Sequence, residues 1–125
     1  MNELTNNNLT NDDNKLFDLS RLIKMSNNNN EFIIRMVNLF IENTSIMLDQ
    51  IEAAQQKSDF EKVKALAHKL KSSVDIICIA STKEMVVFIE QESLSENKSP
   101  VFNETFAKLI EVLRKTILQL QEIKF

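Results

Sequence analysis

The chain contains a single histidine, His68, and the residues at helical spacing around it are those best suited to group transfer. If the segment is helical, Lys64 and Lys71 lie one turn before and one turn after it, Ser72 follows at i+4, and Ala65 and Glu61 sit on the turns below. Neutral imidazole is a nucleophile near physiological pH and forms a labile phosphoramidate. A phosphoryl group on it brings negative charge and acceptor oxygens that ammonium groups one turn away could reach. Lys62 and Lys69 point elsewhere, so this run of lysines is equally a solvated face. Other chemistries fit poorly. His68 and Cys78, about three turns apart on one helix, fall short of the ligand count that zinc requires, so no metal site is expected. One histidine in a helical frame also gives no recognisable Ser-His-Asp arrangement.

The element that must present His68 is read from its periodicity. At about 100° per residue, Val63, Leu66, Ala67, Val74 and Ile77 fall within about 60° of Leu70, whereas His68 lies roughly 160° from it. Periodicity therefore gives an exposed histidine and leaves an ordinary surface residue equally open. Ile76 and Ile79 fall on or near the His68 face, about two and three turns further on. Either a short N-terminal helix covers them, or with the small residue Ala65 they form an apolar docking patch beside the imidazole.

The remaining segments supply the frame. Asp18 is expected to cap a short helix carrying Leu19, Leu22 and Ile23. A long helix from about Asn30 to Lys57 has Ile33, Met36, Val37, Phe40, Met47, Leu48, Ile51 and Ala54 at three- and four-residue steps. Ser58-Asp59-Phe60-Glu61 and Ser81-Thr82-Lys83-Glu84 read as capping boxes opening the next two helices. Ser99-Pro100 opens the last, whose stripe is Phe102, Phe106, Leu109, Ile110, Leu113, Ile117, Leu120 and Ile123. Short connections predict antiparallel neighbours. The expected fold is all-α: an up-down-up-down four-helix bundle over residues 15–125 with a short extra N-terminal helix. Residues 1–14, rich in Asn, Thr and Asp, are expected to be a flexible tail.

Composition excludes several functions. The 125 residues contain no glycine, and both the phosphate-cradling loop and the dinucleotide fingerprint require it. No nucleotide site of its own is therefore recognisable. The net charge of −3 argues against general nucleic-acid binding. No apolar run reaches the ~20 residues that span a bilayer. The start lacks a basic region followed by an apolar one, and the single cysteine rules out an internal disulfide, so a cytoplasmic protein is expected.

Ala67-His68-Lys69-Leu70-Lys71-Ser72-Ser73 resembles the Ala-His-x-Leu-Lys-Gly-Ser signature of histidine-containing phosphotransfer (HPt) domains. The likeness extends over most of residues 17–124. Asp18 to Leu22 resembles the family's first helix, Phe32 to Phe40 with Leu48 and Ile51 its second, and Ser58-Asp59-Phe60 the turn into its active helix. Phe88-Ile89-Glu90 lies where the fourth helix continues.

The resemblance implies a phosphorelay intermediate, not a kinase, that exchanges a phosphoryl group with aspartates of receiver domains in multistep phosphorelays. His68 would be the phosphoacceptor and Lys71 the support for the phosphoryl group, with Lys64, Lys69 and Ser72 accessory. Partners would be response-regulator receivers, a hybrid sensor histidine kinase, or both. The start methionine and the tail favour an independent small protein, with a domain of a larger sensor kinase left open. The receiver would bring the Mg²⁺, and this chain, a monomer, would need no cofactor of its own. Two positions depart from the pattern. Ser72 replaces the usual glycine, and Cys78 stands where a later glycine is common, a change expected to alter helix contacts and not chemistry. The alternative readings are a helical docking module that binds a receiver or kinase without carrying phosphate, and a generic helical adaptor in which His68 is incidental.

Overall fold

The computed structural model describes residues 14–96 and 98–125. The expected tail falls outside the described residues apart from Asn14. Five helices make up the regular structure among the described residues: α1 (Ser20–Met25), α2 (Asn30–Gln56), α3 (Phe60–Ile77), α4 (Ala80–Glu92) and α5 (Pro100–Gln121). α2 packs on α3, α3 on α4, α4 on α5, and α5 returns to α2, while α1 rests on α3. The helix carrying His68 is thus held from three sides.

The apolar stripes are buried where periodicity puts them. On α3 the buried set is Val63, Leu66, Ala67, Leu70, Val74 and Ile77. On α5 every stripe residue from Phe102 to Leu120 is buried, and only Ile123, beyond the helix, is half-exposed. Met36 and Met47 of α2 stay half-buried, and Thr44 fills an intervening core position.

Helix ends show where local rules compete. α2 starts at Asn30 because the Asn29 side chain accepts from the Phe32 N–H at 3.2 Å, with Glu31 favourably placed in the first turn. It closes in a Schellman motif: the Ser58 N–H donates to Gln55 O and the Asp59 N–H to Ala54 O. Ser58 takes the left-handed conformation (φ 56°) that the motif demands. It therefore does not cap α3. Asp59 does, accepting from the Lys62 N–H at 3.3 Å. α1 closes the same way, with Asn27 and Asn28 left-handed and bonded to Lys24 O and Ile23 O.

The other two expected caps also move. Asp18 accepts from both the N–H and the hydroxyl of Ser20, so the helix begins at Ser20 with Leu19 in the N-cap position. Ser81 lies inside α4, which starts at Ala80 with Ile79 as its N-cap and no side-chain cap. The cause is an isolated antiparallel bridge between Phe17 and Cys78. Asp18 N–H donates to Ile77 O at 2.8 Å and Ile79 N–H to Leu16 O at 3.3 Å. These bonds draw residues 78–79 out of the helix and fix the corner, so α4 resumes at once.

Candidate functional site

His68 lies midway along α3, opposite the buried stripe, with 67% of its side chain exposed. Its Nδ1 is 2.7 Å from Oε2 of Glu90 on α4. The other oxygen of that carboxylate accepts from Lys71 Nζ at 2.9 Å. Glu90 is itself only 15% exposed, and its carboxylate joins α4 to two residues of α3. These bonds hold its carboxyl below the usual carboxylate range: the Lys71 ammonium contributes most, His68 next, and burial opposes them. An ionised carboxylate only accepts. In the neutral imidazole the ring proton therefore sits on Nδ1, and the lone pair is left on Nε2.

Around this triad the expected residues separate. Lys64, Ala65 and Lys69 are exposed, and the side chain of neither lysine makes an ion pair or hydrogen bond among the described residues. Lys71 is linked to the imidazole through Glu90: its ammonium is bonded to the carboxylate that meets Nδ1 of the ring. Ser72 is exposed and, with Ile76, Met36, Leu39 and Asn43, lines a hollow of about 210 Å³ between α2 and α3. Ile76 is half-buried against the core there. Ile79 does not join it. α3 ends at Ile77, so the periodicity that aligned Ile79 with His68 stops short of it. Ile79 lies instead in a separate hollow with Leu16, Val112 and Gln119. Of the apolar pair, N-terminal residues cover Ile79, whereas Ile76 borders Ser72.

Glu90 is the residue that sequence reasoning missed. Its only signal was its place on the helix after α3, because the cross-helix register that sets it against residues 68 and 71 is not local. Seven residues after His68, Asp75 makes a similar junction, bonding Lys83 at 2.8 Å and Arg21 at 2.9 Å. Cys78 is buried at the corner, and burial pushes its thiol up to about 12, so it stays protonated and unreactive at neutral pH. Among the described residues no group of three or more His, Cys, Asp or Glu is placed to hold a metal ion. No helix among them is long and apolar enough to cross a membrane.

A family model described as Hpt domain matches residues 35–123, which takes in most of α2, all of α3, α4 and α5, and with them His68, Lys71 and Glu90. Searches of curated proteins and of solved structures return no match. With the family model covering well over half of the sequence, the chain belongs to the Hpt domain family, whose members are phosphotransfer carriers of phosphorelay signalling and not kinases.

Proposed function

We propose that this chain accepts a phosphoryl group on Nε2 of His68 from the phosphoaspartate of a receiver domain, and returns it to a receiver aspartate. The observation that carries the reading is the solvent-facing imidazole, with Nε2 open, inside the segment that matches the family. In the transfer the acyl-phosphate P–O bond breaks, its electrons pass to the aspartate carboxylate, and an N–P bond forms. The receiver supplies the Mg²⁺ and the acidic pocket, so this protein's part is to position an accessible nucleophile.

Two finer features belong to this reading. The four long helices run up-down-up-down with antiparallel neighbours. In support, Lys71 meets Glu90 while the later Asp75 meets the earlier Lys83, so advancing along α3 retreats along α4. The receiver docks over His68 and onto the Ser72–Ile76 hollow, whose exposed rim includes Leu39. We place the monomeric 15–125 domain in the cytoplasm, served by a hybrid sensor kinase or a receiver upstream.

The test is incubation with a phosphorylated receiver and Mg²⁺. Acid-labile, base-stable label should move to the wild type and not to His68→Gln. Label on the variant would sink His68 as the acceptor. A wild type that binds receivers but takes no label would leave a docking module.

A further inference from the structure

Resting on the reading of His68 as the residue a receiver covers, we propose that Arg21 and Lys83, gathered on Asp75, select that receiver by holding a carboxylate on the rim of its aspartate pocket. The junction lies inside the footprint of such a partner. Asp75 follows His68 by seven residues, which on a helix is about 10 Å along the axis and about 20° around it. The next residue, Ile76, lines the hollow on the α2 side. An interface of ordinary size covers about 800 Å² per partner, a patch reaching about 16 Å from its centre. A receiver seated on His68 and on that hollow therefore also covers Asp75, on the α4 side of the same helix.

The charges at the junction do not balance. Asp75 offers one carboxylate and shares it, Oδ1 accepting from Lys83 Nζ at 2.8 Å and Oδ2 from Arg21 Nη1 at 2.9 Å. One positive charge is left over. Arg114 shows the opposite arrangement, with a single guanidinium meeting the two carboxylates of Asp49 and Glu52. A surplus cation beside His68 attracts an acidic partner that the overall charge of −3 would repel.

The surplus also has donors to spend. The side chains of Arg21 and Lys83 are 58% and 43% exposed. Arg21 uses only Nη1, on the Asp75 carboxylate and on its backbone O at 3.4 Å. Among the described residues Nε and Nη2 donate to nothing, and that edge of a guanidinium holds a carboxylate with two parallel bonds. Asp75 meanwhile fixes the guanidinium, so part of the ordering cost of a long side chain is met before the partner arrives. A receiver with lysine or arginine at the matching place would face two cations and be rejected.

Arg21 reaches this face from α1, which packs on α3 and precedes the span 35–123 that matches the family. Selection by Arg21 thus draws on a part of the chain outside the shared core, whereas His68 lies within it. The contact with Asp75 also pins α1 to α3, and the experiment separates that role from selection.

The test compares wild type with Arg21→Glu, Lys83→Gln and Lys115→Glu, the last a charge reversal on α5. The probe is a receiver domain with an aspartate or glutamate on the rim of its pocket, titrated unphosphorylated by calorimetry and then used in transfer. Arg21→Glu should bind at least about fivefold more weakly at low salt, the loss shrinking as salt rises, and Lys83→Gln at least about twofold more weakly. Lys115→Glu should stay within about twofold of wild type. In transfer the Arg21→Glu loss should fall on KM and not on kcat, because the reacting groups are untouched. Changing the receiver's rim carboxylate to lysine should restore binding to Arg21→Glu, a rescue that pinning α1 would not give. Equal losses in Arg21→Glu and Lys115→Glu would overturn the proposal, and so would wild-type binding by an Arg21→Glu that melts normally. Should Arg21→Glu fail to fold, unchanged binding by Lys83→Gln would overturn it. A wild type that binds this receiver but takes no label would instead overturn His68 as the acceptor, with the binding comparison still deciding the role of Arg21.

Discussion

Lys83 Nζ lies 2.8 Å from Oδ1 of Asp75, and this contact ties the first turn of α4 to the last turn of α3 beside the corner that ends the His68 helix. It should also tie the bundle's stability to pH in acid. Asp75 is held below its ordinary value of 3.8, chiefly by Lys83 and then by Arg21, and Glu90 is held below 4.5 by Lys71 and His68. A carboxyl lowered in the folded state contributes stability that is fully present above its unfolded value and is lost as pH falls through the folded one. Melting temperature should therefore hold above about pH 5 and fall below about pH 4. Asp75→Asn combined with Glu90→Gln should flatten that fall. Thermal scans across this range decide it, and a double variant as acid-sensitive as wild type would place the titrating groups elsewhere.

Lys71→Ala should slow transfer while leaving the fold intact. Its ion pair is partly exposed, and such pairs contribute within about 0–1 kcal/mol, so urea midpoints should move little. Lys64→Ala and Lys69→Ala, which touch no charged partner among the described residues, should transfer at close to the wild-type rate. Equal losses in all three variants would favour a general field of positive charge over the Glu90 contact.

The docking hollow is tested at its exposed rim. Leu39 is 43% exposed, so Leu39→Glu should melt near wild type. It should weaken receiver binding at least about fivefold, the effect of losing roughly 1 kcal/mol at an interface. Ile79→Ala, in the separate hollow, should leave receiver binding unchanged. Titration calorimetry with a receiver would show the docking face to be wrong if the two results were reversed.

Directly behind His68, Leu70 is fully buried. Leu70→Ala should cost about 2–5 kcal/mol, counting lost transfer energy and the cavity left behind. Denaturant unfolding measures this, and a loss under about 1 kcal/mol would mean that α3 is less tightly held than its burial shows.

The Cys78 thiol should react with disulfide reagents only at the rate at which the protein opens. Burial and its raised ionisation point both remove the thiolate. Fast labelling of the native protein at neutral pH would contradict the closed corner made by Phe17 and Cys78.

Much of this arrangement was legible because α3 and α5 obey a single period. Leu70 buried and His68 exposed follow from helical phase alone, and the family resemblance reached Lys71 by position. Three things were not legible, for physical reasons. Ser58 and Asp59 each look like a cap, and only the closure of α2 decides that serine takes the left-handed turn while aspartate caps. Ile79 matched the His68 face only if α3 continued, and a backbone bridge to Phe17, far off in sequence, ended it. Glu90 meets His68 through the register of two helices across a corner, a relation that no window of one helix contains.

The three left-handed residues, Asn27, Asn28 and Ser58, have a consequence for the denatured chain as well as the folded one. Each carries a Cβ in a conformation that costs about 1–2 kcal/mol relative to the right-handed one, less where an asparagine side chain bonds locally. Replacing any of them by glycine would relieve that crowding. It would also enlarge the set of conformations the unfolded chain explores, at about 0.4–1 kcal/mol per site. The two effects oppose each other and are of similar size. A chain with no glycine at all thus holds its corners partly by limiting what the unfolded protein can become, and α2, on which the His68 helix packs, runs between two such corners.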